Sequence, residues 1–86
     1  MASYRIVLRK SAAKEIEKLD KKNISRVIGK IQALSVDPRP PGCKKLSGEE
    51  KYRIRAGAYR ILYQIVDHEL IVTIVRVRHR RDAYRK

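Results

Sequence analysis

From residue 51 to residue 77 the chain is a run of apolar and polar side chains that alternate largely with a period of two, interrupted by turn residues around Gly57-Ala58 and at Asp67-His68-Glu69. Period two is the repeat of a strand, so this block predicts three strands, at about 51–56, 59–66 and 70–77, joined by tight turns. A two-residue turn with Gly first favours type II′ and sets the register: Ala56 lies opposite Tyr59 and Arg55 opposite Arg60. One face then carries Tyr52, Ile54, Tyr59, Ile61, Tyr63 and Ile65, apolar enough to be a core face. The other carries Lys51, Arg53, Arg55 and Arg60 with Leu62 and Gln64. Like charges directly across a strand pair are destabilising. A face built this way points to a polyanion as its partner, most simply a phosphate backbone.

The first half of the chain supplies a cover for the apolar face. Tyr4, Ile6 and Leu8 alternate with Arg5, Val7 and Arg9 and predict a strand over about 3–9. Ser11 is the expected N-cap of a helix over about 11–19, with Ala12, Ile16 and Leu19 at helical spacing. Asp20 caps a second helix, in which Ile24, Val27, Ile28, Ile31 and Leu34 form an apolar stripe ending before Pro38. Two helices joined so tightly predict an antiparallel helical hairpin. Gly29 inside the second helix costs about 1 kcal/mol relative to Ala, which suggests a close backbone contact there. Asp37-Pro38-Arg39-Pro40-Pro41-Gly42 reads as a loop. The expected order is β-α-α-β-β-β, an α+β domain over residues 1–86 with the helical hairpin on one face of a curved, largely antiparallel sheet.

Size and charge narrow the function classes. A chain of 86 residues forms one domain that buries roughly 60% of its unfolded surface. Lys+Arg 22 against Asp+Glu 9 gives a formal net charge of +13, an excess that favours nucleic acid, an acidic protein or an anionic surface as partner. No apolar run approaches the roughly 20 residues of a membrane span, and the alternating start does not resemble a signal peptide. The cytoplasm is the expected compartment. Cys43 is the single cysteine, with no partner for a disulfide or a metal site, and is read as a loop or core thiol.

The end of the chain adds chemistry to the charge. If His79-Arg80-Arg81-Asp82-Ala83-Tyr84 takes a helical turn, Arg80 and Tyr84 fall at i and i+4 and point the same way. Arginine grips phosphate bidentately and tyrosine stacks on bases, a pairing common in RNA recognition. His79 adds an imidazole, the side chain type suited to proton transfer near neutrality. On the helices, Lys10, Lys14 and Lys18 form one i, i+4 row and Lys22, Arg26 and Lys30 another. Such rows repel slightly and read as phosphate-facing surfaces, and Lys44, Lys45 and Lys51 extend the basic surface. Affinity for RNA should therefore fall steeply with salt.

Three segments together resemble the RelE branch of the RelE/ParE toxin superfamily: Tyr52-Arg53-Ile54-Arg55, Tyr59-Arg60-Ile61-Leu62-Tyr63-Gln64-Ile65, and Val77-Arg78-His79-Arg80-Arg81-Asp82-Ala83-Tyr84. Lys44-Lys45-Leu46-Ser47-Gly48 looks like that family's K-L-x-G loop, and the resemblance covers nearly the whole chain. It implies the toxin half of a bacterial or archaeal toxin-antitoxin pair that cleaves messenger RNA in the ribosomal A site. It makes Arg60 the hairpin arginine on the phosphate, Arg80 the tail arginine that holds the phosphate or protonates the leaving group, and Tyr84 the tyrosine that orients the cleaved nucleotide. At Arg53 and Arg55 the best-known members carry lysines, one of them proposed as a general base. Arginine stays protonated, so these two are expected to stabilise charge on the pentavalent phosphate instead.

The reaction so implied deprotonates a ribose 2′-OH, neutralises the phosphorane and protonates the departing 5′-oxygen, leaving a 2′,3′-cyclic phosphate and a 5′-hydroxyl. For the base, His79 ranks first, since related branches place a His at this position, and Glu49 or Glu50 second. With no His/Cys cluster or acidic pair at ligand spacing, no cofactor is expected and the reaction reads as metal-independent. The helical lysine rows would face ribosomal RNA. The family also implies a small acidic antitoxin that wraps the toxin and folds on binding, with operator DNA reached only through it. Two rival readings are a ParE-like inhibitor of DNA gyrase, on the same fold, and a basic RNA-binding module without chemistry.

Overall fold

The computed structural model describes residues 3–46 and 51–83, the last two by their backbone alone. Its strands are β1 (Arg5–Leu8), β2 (Lys44–Leu46), β3 (Lys51–Ala56), β4 (Tyr59–Val66) and β5 (Ile71–His79), and its helices α1 (Lys10–Glu17), α2 (Lys21–Ala33) and the short α3 (Arg80–Ala83). The strands form one sheet in the order β1-β5-β4-β3-β2, antiparallel except that β1 runs parallel to β5. This is the expected α+β architecture with one strand added. The residues of β2 lie in the stretch assigned to a loop, and they take strand form by pairing Lys44 with Arg53 and Leu46 with Lys51 along the edge of β3.

Both helices pack on the face predicted to be apolar. Ala12 and Ile16 of α1 join Val27 and Ile31 of α2, with Leu34 just beyond it, against Tyr52, Ile54, Ile61, Tyr63, Val72 and Ile74, all buried. The Gly57 turn gives the predicted register, Arg55 opposite Arg60 and Ala56 opposite Tyr59, with Gly57 at φ +64, where other residues are strained. Asp20 caps α2 through the N–H of Asn23 at 2.9 Å.

Two local expectations are corrected. Helix α1 starts one residue before Ser11, with Arg9 at the N-cap and no side-chain cap; the Ser11 hydroxyl instead donates to the carbonyl of Val75 at 2.9 Å. A distant carbonyl has won the hydroxyl from its own helix. Gly29 has no close backbone neighbour, since a Cβ built there would meet nothing within 4 Å.

The register slips once. Leu62 pairs with Arg76 but Tyr63 with Ile74, so Val75 is an extra residue on β5. A bulge of this kind reverses the alternation beyond it. Val72 and Ile74 before it and Val77 after it all face the core. Because β1 ends at Leu8, the far half of β5 has no strand on that side, and α1 takes over. Arg9 N–H donates to the Ile74 carbonyl at 3.0 Å, Ser11 Oγ to that of Val75, and Glu15 Oε1 accepts from Val77 N–H at 2.8 Å. Three backbone groups of this edge are thus satisfied without a strand.

At the opposite end of the sheet a polar network ties the proline-rich loop down. Arg39 donates to both oxygens of Asp67 at 3.1 and 2.9 Å and to the Tyr52 hydroxyl at 3.1 Å. Tyr4 donates to Asp67 at 2.8 Å, and the buried Tyr63 hydroxyl donates to the Pro38 carbonyl at 2.7 Å. The Arg39 guanidinium and the Tyr4 hydroxyl hold the Asp67 carboxyl down to about 2, below the usual carboxylate range.

Candidate functional site

With both helices on one face, the other face of the sheet is left to its cations. The ladder places Arg55, Arg60 and Arg78 directly across from one another on β3, β4 and β5. The next row on the same face reads Lys44, Arg53, Leu62, Arg76 across four strands. Lys51 sits beside Gln64 one step further on. Arg76 and Arg78 belong here because of the bulge at Val75; without it they would share the core-facing parity of Val72 and Ile74. Their signal was present in the sequence, since the apolar positions of Ile71-Val72-Thr73-Ile74-Val75-Arg76-Val77-Arg78 shift from even to odd midway.

Arg60 occupies the middle of the first row and is 6% exposed. It has an arginine directly across on either side, and like charges placed so are destabilising. Its surroundings are correspondingly specialised. Arg55, Gly57, Ala58, Tyr59, Arg60, Arg80 and Arg81 line an open groove of about 380 Å³ at the hairpin tip. Helix α3 is moored there by the Arg80 N–H, which donates to the Ala58 carbonyl at 2.8 Å. Four arginines thus line one groove. Arg26 adds a fifth at its rim: a Cβ on Gly57 would lie 2.6 Å from Arg26 Nη1, so the α2 side chain lies across the turn.

The remaining candidates are distributed unevenly. Lys30 joins Lys44, Arg53 and Arg55 around a second groove of about 450 Å³, walled by Pro40, Pro41 and Gly42. Lys10, Lys14, Lys18 and Lys22 are exposed on the helices, away from both grooves. Lys45 pairs with Tyr52 and therefore lies on the opposite face from Arg53. His79 pairs with Tyr59, which places it on the helix-covered face. Its ring meets that of Tyr59 edge-on, 5.3 Å between centroids, and its Nδ1 accepts the Arg81 N–H at 3.2 Å. His79 thus lies across the sheet from the Arg55, Arg60, Arg78 row. Tyr84, Glu49 and Glu50 lie outside the described residues.

Glu15 was not foreseen. One of its oxygens caps Val77, and the other stands 3.6 Å from Arg76 Nη1 and 3.7 Å from Arg78 Nε. No spacing in the sequence links Glu15 to β5, because their meeting depends on where β1 stops.

Comparison with known proteins decides the family. The model of the ParE toxin of type II toxin-antitoxin systems matches residues 6–84. The chain belongs to the RelE/ParE toxin superfamily. Within this superfamily it is 34% identical to a RelE-like toxin protein of Escherichia coli over 94% of this chain and 90% of the relative. It is 30% identical to toxin RelG of Mycobacterium tuberculosis over 96% of this chain and 98% of that one. Among solved structures, it superimposes on the RelBE2 toxin-antitoxin complex of Mycobacterium tuberculosis with a TM-score of 0.80 at 30% identity, covering 91% of this chain and 99% of the other. The archaeal RelE-RelB complex of Pyrococcus horikoshii gives 0.82 at 26% identity over 91% and 96%. The family model is named for ParE, whereas these relatives and structures carry the RelE name. The fold and the type II toxin class are common to both, and the RelE likeness extends over nearly the full chain.

Proposed function

We propose that this RelE-family toxin cleaves messenger RNA in the ribosomal A site by attack of a ribose 2′-OH on the adjacent phosphate. The observation that carries the reading is the Arg55, Arg60, Arg78 row running into a groove that also holds Arg80 and Arg81. In-line attack forms the O2′–P bond, breaks the P–O5′ bond and passes through a phosphorane with an extra negative charge. Fixed guanidiniums stabilise that charge without reorganising. Arg60 and Arg55 hold the non-bridging oxygens, Arg53 supports them from the next row, and Arg80 faces the departing 5′-oxygen, which takes its proton from solvent. Tyr84 would orient the nucleotide.

The base is the open role. With its Nδ1 accepting the Arg81 N–H, neutral His79 carries its proton on Nε2, the wrong tautomer for accepting one there. We assign His79 to holding the start of α3, and the 2′-OH proton to solvent. Electrostatic stabilisation then carries most of the acceleration. The exposed rows at Lys10, Lys14, Lys18 and Lys22, with Arg26 and Lys30, are assigned to ribosomal RNA, and the net charge of +13 supports an acidic antitoxin of the RelB kind as the neutralising partner. Among the described residues no helix is long and apolar enough to cross a membrane, and a cytoplasmic location is part of the proposal.

The test is a reconstituted translation reaction with mRNA ends mapped by primer extension. Cuts inside translated codons, lost in Arg60→Ala and Arg80→Ala, are the expected result. Intact messages under active translation would overturn it. The ParE label of the matching family model makes gyrase the second reading, and loss of supercoiling with uncut messages would support that instead.

A further inference from the structure

The arginine face is not uniformly polar. Leu62 of β4 stands in register between Arg53 and Arg76. With Leu46 of β2 it lines a hollow of about 220 Å³ whose other walls are Arg53, Arg60 and Arg78. Both leucines are half-buried. Phosphate alone is a poor occupant, because oxygens pressed against an isobutyl group lose hydration and gain no donor. The neighbouring groove, lined by four arginines and no leucine, seats phosphate better.

A flat ring with apolar faces and polar edges fits the hollow on both counts. Guanidinium planes stack on such rings and donate to acceptors at their edges, while aliphatic surface removes the ring face from water. Arg60 connects the two spaces. It lines both the groove and the hollow, and its burial holds it in place. One nucleotide can therefore span them, its phosphate in the groove and its base in the hollow.

We infer that the hollow between Leu46 and Leu62 is a nucleobase seat, holding the base adjacent to the phosphate on Arg60. The inference rests on the RNA reading of this face and deepens it. Leu62 supplies the apolar floor, and Arg53 and Arg78 the walls. The probe is a 2′-deoxy trinucleotide, which cannot be cleaved by 2′-OH attack, compared with the same molecule lacking its central base.

Titrated into the wild-type protein, the intact probe is expected to bind about tenfold tighter than the abasic one, the usual scale for stacking a single base. Leu62→Gln should reduce that preference to about twofold or less without weakening the abasic probe, and Leu62→Met, which keeps the apolar surface, should retain it. Equal binding of the two probes by wild type overturns the seat. So does a preference that survives Leu62→Gln in a protein with an unchanged circular dichroism spectrum. The two readings fail separately: codon cleavage without base preference removes the seat and leaves the ribonuclease, whereas base preference with uncut messages removes the ribonuclease and leaves the seat.

Discussion

The carboxylate of Glu15 accepts the Val77 N–H with one oxygen and faces Arg76 and Arg78 with the other. Helix α1 thereby closes an open sheet edge and delivers a negative charge to a face that gathers cations. At 3.6 and 3.7 Å these ion pairs are longer than hydrogen bonds.

Glu15→Gln keeps an acceptor for Val77 and removes the charge. Affinity for single-stranded RNA should rise, and log K against log salt should steepen by about 0.7 for each further phosphate neutralised. Anisotropy titrations across a salt series read this directly; an unchanged slope would mean that Arg76 and Arg78 do not reach RNA. Glu15→Ala additionally strands the Val77 N–H, and a loss of about 1–3 kcal/mol is expected in urea unfolding.

His79→Gln separates the two accounts of the proton. If the 2′-OH proton goes to solvent, the cleavage rate should fall less than about tenfold and the pH profile of the variant should match that of wild type, whereas loss of a true base costs about 10² to 10⁴. Single-turnover cleavage from pH 5.5 to 8.5 distinguishes them.

Gly29→Ala should stabilise the protein by about 0.5–1 kcal/mol, because the position is inside α2 and open space surrounds its Cα. A shift of the urea midpoint to lower concentration would show that the glycine is needed after all.

Gly57→Ala should do the reverse. At φ +64 a side chain costs about 1–2 kcal/mol, and the new methyl group would also press on Arg26, 2.6 Å away. In an Arg26→Ala background the backbone cost should remain while the steric part disappears, a coupling that a double-mutant cycle measures.

Acid should act through Asp67. Its folded pKa, about 2, lies below the unbound value of 3.8, so the stabilisation is complete above pH 4 and is lost as pH falls towards 2. Asp67→Asn should therefore be less stable than wild type at pH 6, with the gap between their urea midpoints closing between pH 4 and pH 2. A constant gap would show that the Arg39 and Tyr4 contacts do not depend on the ionised carboxylate.

Local signals proved legible where the decision was local. Gly57 announced the hairpin and its register, Asp20 its helix, and the Ile24 to Leu34 stripe its buried face. Distant decisions were not. Ser11 has the chemistry of a cap, but the Val75 carbonyl lies within reach only once β5 is in place. Lys44 and Lys45 carry no strand preference and pair because β3 offers an edge. The site was half visible: Arg53, Arg55 and Arg60 followed from the turn, while Arg76 and Arg78 required the residue count on β5, and Glu15 required the end of β1.

The extra residue at Val75 makes β5 a message read in two frames. Before it, even-numbered residues belong to the interior; after it, odd-numbered ones do. Arg76 and Arg78 owe their place on the arginine-bearing face to this shift of phase. Removing Val75 would leave every other side chain intact and still exchange the roles of Arg76, Val77 and Arg78, turning charge inward and grease outward in one deletion. The composition of the site is thus written in the spacing of the backbone as much as in the identity of its residues.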